Sequence, residues 1–292
     1  MKPLFLLKNL SKSHAMKNSQ PIFIISSGRA GSAMMEKALG QYHLLDMHHE
    51  YCCTHVQKVA VQHYMGLTSA ADVTTMIDAV YAPALHLSNK PFWGDSSNKL
   101  SWIIPELAAR FPSAKFVHVV RDGRKVASSY LHKLGNECYD DAATKALADY
   151  VRDPATHPAP PPEKRYWWPQ PQASHPFAKR FHFLDQFQRI AFHWSEINQV
   201  ITASLAALPA TQSHFVRLED LCAEPGAIRG VTDFLGFAPR DDLFGLFQRP
   251  HNVNRPQDNP LTPDQAAQFE DLAGDMMEKF GYAGTPEYRV AY

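Results

Sequence analysis

The stretch PIFIISSGRAGSAMMEKAL, residues 21–39, decides the fold. Ile22 to Ile25 form an apolar, β-branched run of the kind a strand carries when both of its faces are buried. The run ends in a small polar turn, Ser26-Ser27-Gly28-Arg29-Ala30-Gly31-Ser32, and helix formers follow it to Leu39. Strand, glycine turn and helix make half of an α/β unit. Where a strand feeds a helix in this way, backbone amides and the positive end of the helix dipole can hold an anion. The turn lacks the Gly-Lys-Ser/Thr ending of a nucleoside-triphosphatase loop, so neither the phosphate-binding lysine nor the magnesium-binding hydroxyl is in place. Its cation is Arg29. Read alone, such a turn serves a tight packing corner as well as an anion site.

Outward from this unit the pattern alternates. Strand-like YHLLDMHHE (42–50) precedes helical stretches near 54–65 and 70–82, and then come FWGDSS (92–97), a helix through SWIIPELAARF, and the valine-rich strand KFVHVVRD (115–122). A long helical pattern at 178–207, strand SHFVRLEDL (213–221), a helix at 226–235 and a last helix from Thr262 to Phe280 complete the series. Thr262 followed by Pro263 fits an N-cap with proline at the first helical position. The alternation predicts an α/β fold of three αβα layers around a central, mainly parallel sheet, with the strands near 22–26 and 116–120 side by side. Between Asp140 and Phe177 the alternation stops and proline concentrates, as in HPAPPPEKRYWWPQPQASHP. This stretch is expected to be an insertion or lid outside the core.

Composition sets limits. A chain of 292 residues with 45% hydrophobic content is long enough for one α/β domain with an insertion. The formal net charge of +0 removes bulk attraction to nucleic acid or membrane as partners, so any phosphate site must be locally basic. The four cysteines, Cys52, Cys53, Cys138 and Cys222, form neither a disulfide framework nor a zinc-ligand pattern, which makes a reducing, cytoplasmic setting the simplest expectation. His48 and His49 beside Cys52 and Cys53 have no second ligand pair at a recognisable spacing, so no metal is expected. Leu4 to Leu7 is too short a run for a membrane span. Residues 1–20 read as an N-terminal extension, with disorder as one reading and Met16 as an alternative start.

The second chemical element is Arg121-Asp122-Gly123-Arg124-Lys125-Val126-Ala127-Ser128-Ser129-Tyr130, at the carboxyl end of a buried strand. Ligands bind at that edge in open α/β sheets, and three clustered cations there call for an anion, since arginine matches phosphate oxygens through fixed donors. A solvated helix start paired with Asp122 is the plain alternative.

Together the two elements resemble the nucleotide-dependent sulfotransferase family, which has a fold like that of the phosphate-loop NTPases. Arg29-Ala30-Gly31-Ser32 resembles the family's 5'-phosphosulfate loop, and Arg121 with Ser129 eight positions on resembles its 3'-phosphate motif. Arg217-Leu218-Glu219-Asp220-Leu221, then Asp233-Phe234-Leu235-Gly236, and finally Leu261-Thr262-Pro263 to Phe280-Gly281-Tyr282 extend the likeness over about residues 21–283, leaving 284–292 as a tail. The resemblance implies transfer of a sulfuryl group from PAPS (3'-phosphoadenosine-5'-phosphosulfate) to a hydroxyl or amine of a small-molecule or carbohydrate acceptor, with PAP as product. It implies donor contacts at Ser27, Gly28, Arg29, Ala30, Gly31, Ser32, Ala33, Arg121 and Ser129, with Arg29 also facing the reacting group. It also implies a catalytic base just after the second strand, at Glu50, with His49 and Asp95 as rivals.

Three departures stand out. Ala33 replaces a second hydroxyl, Lys125 replaces a common acidic residue in what is expected to be a surface pair, and Ser96 replaces the usual lysine in Gly94-Asp95-Ser96-Ser97-Asn98. That leaves Arg29 as the main cation at the reacting group, unless Lys99 or an arginine from elsewhere assists. Trp167 and Trp168 either line the acceptor pocket or pin the insertion to the core. Two other readings stay open: a catalytically inactive PAP- or PAPS-binding scaffold, and a phosphate-loop phosphotransferase, which the missing Gly-Lys-Ser/Thr disfavours. Acceptor identity and oligomeric state have no sequence signal.

Overall fold

Ile22, Phe23, Ile24 and Ile25 have no exposed surface because their strand is the middle one of the sheet. The structure, a computed structural model, describes residues 19–248 and 259–288. Most of the expected N-terminal extension and the last four residues of the expected tail lie outside the described residues.

In chain order the elements are β1 (Gln20–Ile25), α1 (Ser32–Leu39), β2 (Leu45–His49), α2 (Cys53–Tyr64), α3 (Ala70–Leu87), β3 (Phe92–Ser96), α4 (Ile104–Arg110), β4 (Lys115–Val120) and α5 (Gly123–Leu134). They continue with α6 (Asp141–Arg152), α7 (Ala178–Phe181), α8 (Gln186–Ala206), β5 (Ser213–Arg217), α9 (Leu218–Ala223), α10 (Pro225–Leu235), α11 (Phe244–Phe247) and α12 (Pro263–Lys279). The strand order is β2-β3-β1-β4-β5. Every pairing is parallel, and Ile24 lies opposite Ser96 on one side and Val117 on the other. All carboxyl ends therefore open at one edge, with the loops after β1 and β4 as neighbours.

The strand period of two sorts β1 into two faces. Phe23 and Ile25 pack with Val73, Ile77, Tyr81, Ile104 and Phe116, while Ile22 and Ile24 pack with Met35, Leu39, Val117, Val119 and Val231. Each such side chain contributes about 1.5–3 kcal/mol when fully buried. A third cluster joins α5, α8 and α12 through Val126, Ile190, Trp194 and Phe269. The three-layer parallel α/β architecture is as the alternation predicted. No helix among the described residues is long and apolar enough to cross a membrane.

Several boundaries differ from the sequence reading for local reasons. The strand expected at 213–221 stops at Arg217, where Leu-Glu-Asp-Leu turns helical as α9. The long helix at 178–207 is two, because Asp185 caps α8 afresh in a reciprocal pairing with Gln188. The insertion is not all irregular. Asp140 accepts from the Ala143 amide and starts α6, a 12-residue helix that buries Ala143 and Leu147. Leu147 packs with Val61, Met65 and Trp167, and Trp168 belongs to the α5–α8–α12 cluster. The expectation of a segment wholly outside the core is thereby corrected: apolar residues at helical spacing and two tryptophans seat it.

Candidate functional site

The turn after β1 is built from left-handed backbone. Gly28 (φ 79°), Arg29 (φ 54°) and Gly31 (φ 95°) all lie at positive φ, which turns successive amides toward one concavity suited to an anion. Arg29 holds this conformation without glycine's freedom, at a cost of about 1–2 kcal/mol. Gly31 caps α1 with no side chain over the first amides, so the helix end is open. Gly28 has no alternative, because a Cβ there would lie 2.0 Å from the Tyr130 hydroxyl.

Hydrogen bonds from other elements fix the turn. The Gly28 amide donates to Ser26 Oγ at 3.1 Å. Tyr130 Oη donates to Ser27 O at 2.9 Å, and His193 Nε2 lies 3.3 Å from the same oxygen. Ser101 Oγ donates to Ser26 O at 3.1 Å and Ser96 Oγ to Ser32 O at 2.8 Å. Ser96 thus supports the loop. Ala30 is buried, while Ser32 and Ala33 begin α1 half-buried.

The basic element meets this loop directly. Arg29 Nε donates to Ser129 Oγ at 3.0 Å, and Arg121 Nη1 donates to Arg29 O at 3.1 Å. Arg121 Nε is buried with no hydrogen-bond partner among the described residues, a donor that an incoming oxyanion would satisfy. The structure thus brings Arg29, Arg121 and Ser129 together. Arg124 and Lys125 are used otherwise. Arg124 Nη2 pairs with Asp122 at 2.7 Å, and its Nη1 donates to Thr285 O at 3.1 Å. Lys125 is buried against Glu287 at 3.0 Å, so the pair expected at the surface is an interior one that fastens the segment after Tyr282 over α5.

A second charged group sits at the ends of β2 and β3. Lys99 Nζ donates to Glu50 Oε1 at 2.6 Å and to Asn98 Oδ1 at 2.6 Å. Lys164, from the insertion, binds the other oxygen of Glu50. Burial pushes the Glu50 carboxyl up, but the two ammoniums outweigh it and hold it at about 2. Burial pushes the Lys99 ammonium down, with Glu50 opposing. Asn98 Nδ2 approaches Tyr130 Oη at 3.4 Å, so a chain of polar contacts runs from Glu50 to the Ser27 carbonyl.

The two rivals have different surroundings. Asp95 is fully buried and accepts from the Tyr51 amide (3.1 Å) and Tyr81 Oη (3.2 Å); burial raises it to about 7. His49 is exposed, and its Nδ1 lies 2.8 Å from Ser96 O. A carbonyl only accepts, so Nδ1 carries the proton of the neutral ring and Nε2 keeps a lone pair.

Trp167 has no exposed surface, and its Nε1 donates to Pro161 O at 2.7 Å; Gln57 Nε2 donates to the Trp167 carbonyl at 2.6 Å. Trp168, 8% exposed, packs edge-on to Tyr130 and His193 and donates to Glu137 O at 2.7 Å. Both rings are held by the protein itself. Sequence reasoning missed Lys164, Asn98, Tyr130 and His193. Tyr130 directly follows Ser129 and was within reach, but Lys164 lies in a proline-rich stretch with no spacing that marks it.

A turn suited to an anion and an arginine cluster on adjacent strands, gathered at the carboxyl edge of a parallel sheet, mark the candidate binding edge of an αβα protein. The model of the sulfotransferase family matches residues 21–159, the stretch that carries both elements. That stretch, residues 21–159, is thus similar to the sulfotransferase family. Among solved structures it is similar to the sulfotransferase domain of the olefin synthase of Synechococcus PCC 7002 (TM-score 0.50, 17% identity, covering 94% of this chain and 98% of that one). A sulfotransferase from Mycobacterium avium is similar at TM-score 0.50 and 10% identity, over 94% of this chain and 80% of the other. At these identities the likeness is one of fold. No curated protein matches the sequence.

Proposed function

We propose that the protein is a PAPS-dependent sulfotransferase acting on a hydroxyl or amine of a small-molecule or carbohydrate acceptor. The observation that carries this reading is the contact between the two anion-binding elements, Arg29 with Ser129 and Arg121 with the Arg29 carbonyl. In this reading the 5'-phosphate of the donor takes the amides from Ser27 to Ala33 at the start of α1, and Arg121 and Ser129 take the 3'-phosphate.

Transfer is an in-line displacement, by analogy with phosphoryl transfer. The acceptor oxygen or nitrogen forms a bond to sulfur as the bond from sulfur to the 5'-phosphate oxygen breaks, and PAP departs with the electron pair. Arg29 faces the charge that builds on that oxygen. The acceptor's proton needs a base across the sulfur from the leaving group. Glu50 is the assigned base, supported by its polar link through Lys99 and Asn98 to the phosphate loop. His49 is the second candidate, supported by the tautomer that Ser96 O imposes. Asp95 is sealed beneath Tyr51 and Tyr81.

The donor assignment is tested by titrating PAP and ATP calorimetrically without magnesium. PAP should bind and ATP should not. Arg121→Ala removes a charge-assisted contact contributing about 1.5–3 kcal/mol, so PAP should weaken about 10- to 150-fold. Unchanged affinity would remove Arg121 from the site.

A further inference from the structure

We infer that Lys164 is the insertion's own contribution to the donor site: its ammonium, which pairs with Glu50, transfers to the sulfuryl group when PAPS binds and so frees one carboxylate oxygen of Glu50. The inference rests on the PAPS reading above and deepens it.

Charge is the first argument. Lys99 and Lys164 share one carboxylate, one ammonium on each oxygen, so the cluster carries one positive charge more than it neutralises. Lys99 is 7% exposed and Glu50 is held between the lysines, so the excess charge falls on the more exposed Lys164, where an anion can join it. Position is the second. Lys99 holds Asn98, whose amide nitrogen is 2.9 Å from where a Gly28 Cβ would stand, so the cluster borders the phosphate loop on its β3 side.

The third argument is mobility of contact. Lys99 comes from the short turn directly after β3 and is locked by two hydrogen bonds at 2.6 Å. Lys164 sits on the insertion with its side chain 39% exposed and Glu50 as its only ion-pair partner among the described residues, so it is the member able to change partners. Its backbone is well placed, because Gln57 Nε2 donates to the Lys164 carbonyl at 3.3 Å and to that of Trp167 at 2.6 Å. Glu50, relieved of one ammonium, becomes a stronger base and gains an open oxygen for the acceptor's proton. Lys164 thereby ties the basicity of Glu50 to the presence of the sulfuryl group.

PAPS and PAP differ by that group, so their affinities separate this role from a structural one and require no acceptor. Lys164→Met should weaken PAPS about tenfold or more and leave PAP unchanged, and Lys164→Arg should recover most of the loss. Equal affinities of wild type and Lys164→Met for PAPS would overturn the inference. An equal loss for both nucleotides would also overturn it, by showing that Lys164 merely holds the insertion in place. Failure of the wild-type protein to bind either nucleotide would overturn the donor reading and the inference with it.

Discussion

Gly28→Ala should damage the loop after β1 chiefly through the Tyr130 hydroxyl, with Asn98 Nδ2 the next atom met, at 2.9 Å. Alanine at φ 79° costs about 1–2 kcal/mol, partly offset by the smaller entropy of the unfolded chain. The new Cβ would lie 2.0 Å from Tyr130 Oη, far inside contact distance, so the ring must move. Tyr130 is 2% exposed, and moving it breaks its 2.9 Å hydrogen bond to Ser27 O. Leaving such a buried group unsatisfied costs about 1–3 kcal/mol. Together these give a loss of roughly 2–4 kcal/mol. Tyr130→Phe alone should cost about 1 kcal/mol, because His193 Nε2 still faces the Ser27 carbonyl. The double variant removes the atom that the Cβ strikes and should therefore be about 1–2 kcal/mol more stable than the sum of the single losses implies. Urea unfolding of the four proteins measures this coupling. Additivity within about 0.5 kcal/mol, or a Gly28→Ala variant as stable as wild type, would refute the argument that close approach dictates glycine here.

Other expectations follow from the same geometry. Glu50→Gln should lower kcat by about 10²- to 10⁴-fold with PAP affinity retained; near-normal turnover there, with loss in His49→Ala, would move the base to His49. Trp167→Ala should cost about 3–5 kcal/mol in thermal or urea unfolding, since the ring has no exposed surface; a stable variant with a raised acceptor KM would return Trp167 to the acceptor pocket. Asp95 carries a folded pKa raised by burial to about 7 from 3.8, so the folded state holds its proton more tightly than the unfolded chain. Its contribution is fully present below about pH 4 and is lost as pH rises through about 7. Asp95→Asn should therefore gain stability relative to wild type as pH rises across that window, by roughly 4 kcal/mol at most. A difference between the two proteins that does not change with pH would refute the buried-acid assignment.

How far the sequence reached follows from which interactions are local. Ile22 to Ile25 reads as a buried strand because every residue in it is apolar, and Gly28 and Gly31 mark a turn because few other residues take positive φ. The pairing of β1 with β4 followed from the two loops needing one edge. Other features depend on partners far away in the chain. Nothing near Lys164 announces that it meets Glu50 across more than a hundred residues, and nothing near Lys125 announces Glu287. The insertion was read by its prolines, which hid the capped helix α6 and the burial of Trp167. Ser96 looked like a lost cation; in the fold it donates to Ser32 O, and a lysine three residues on lies against Glu50.

The central claim, sulfuryl transfer from PAPS, is tested most directly by adding protein and PAPS to an extract of the source cells and following small molecules by mass spectrometry. The account predicts a species heavier by one sulfuryl group, formed with stoichiometric release of PAP and strongly reduced with Arg121→Ala at limiting PAPS. PAPS left unconsumed in complete extract, or PAP released with free sulfate and no sulfated product, would contradict it.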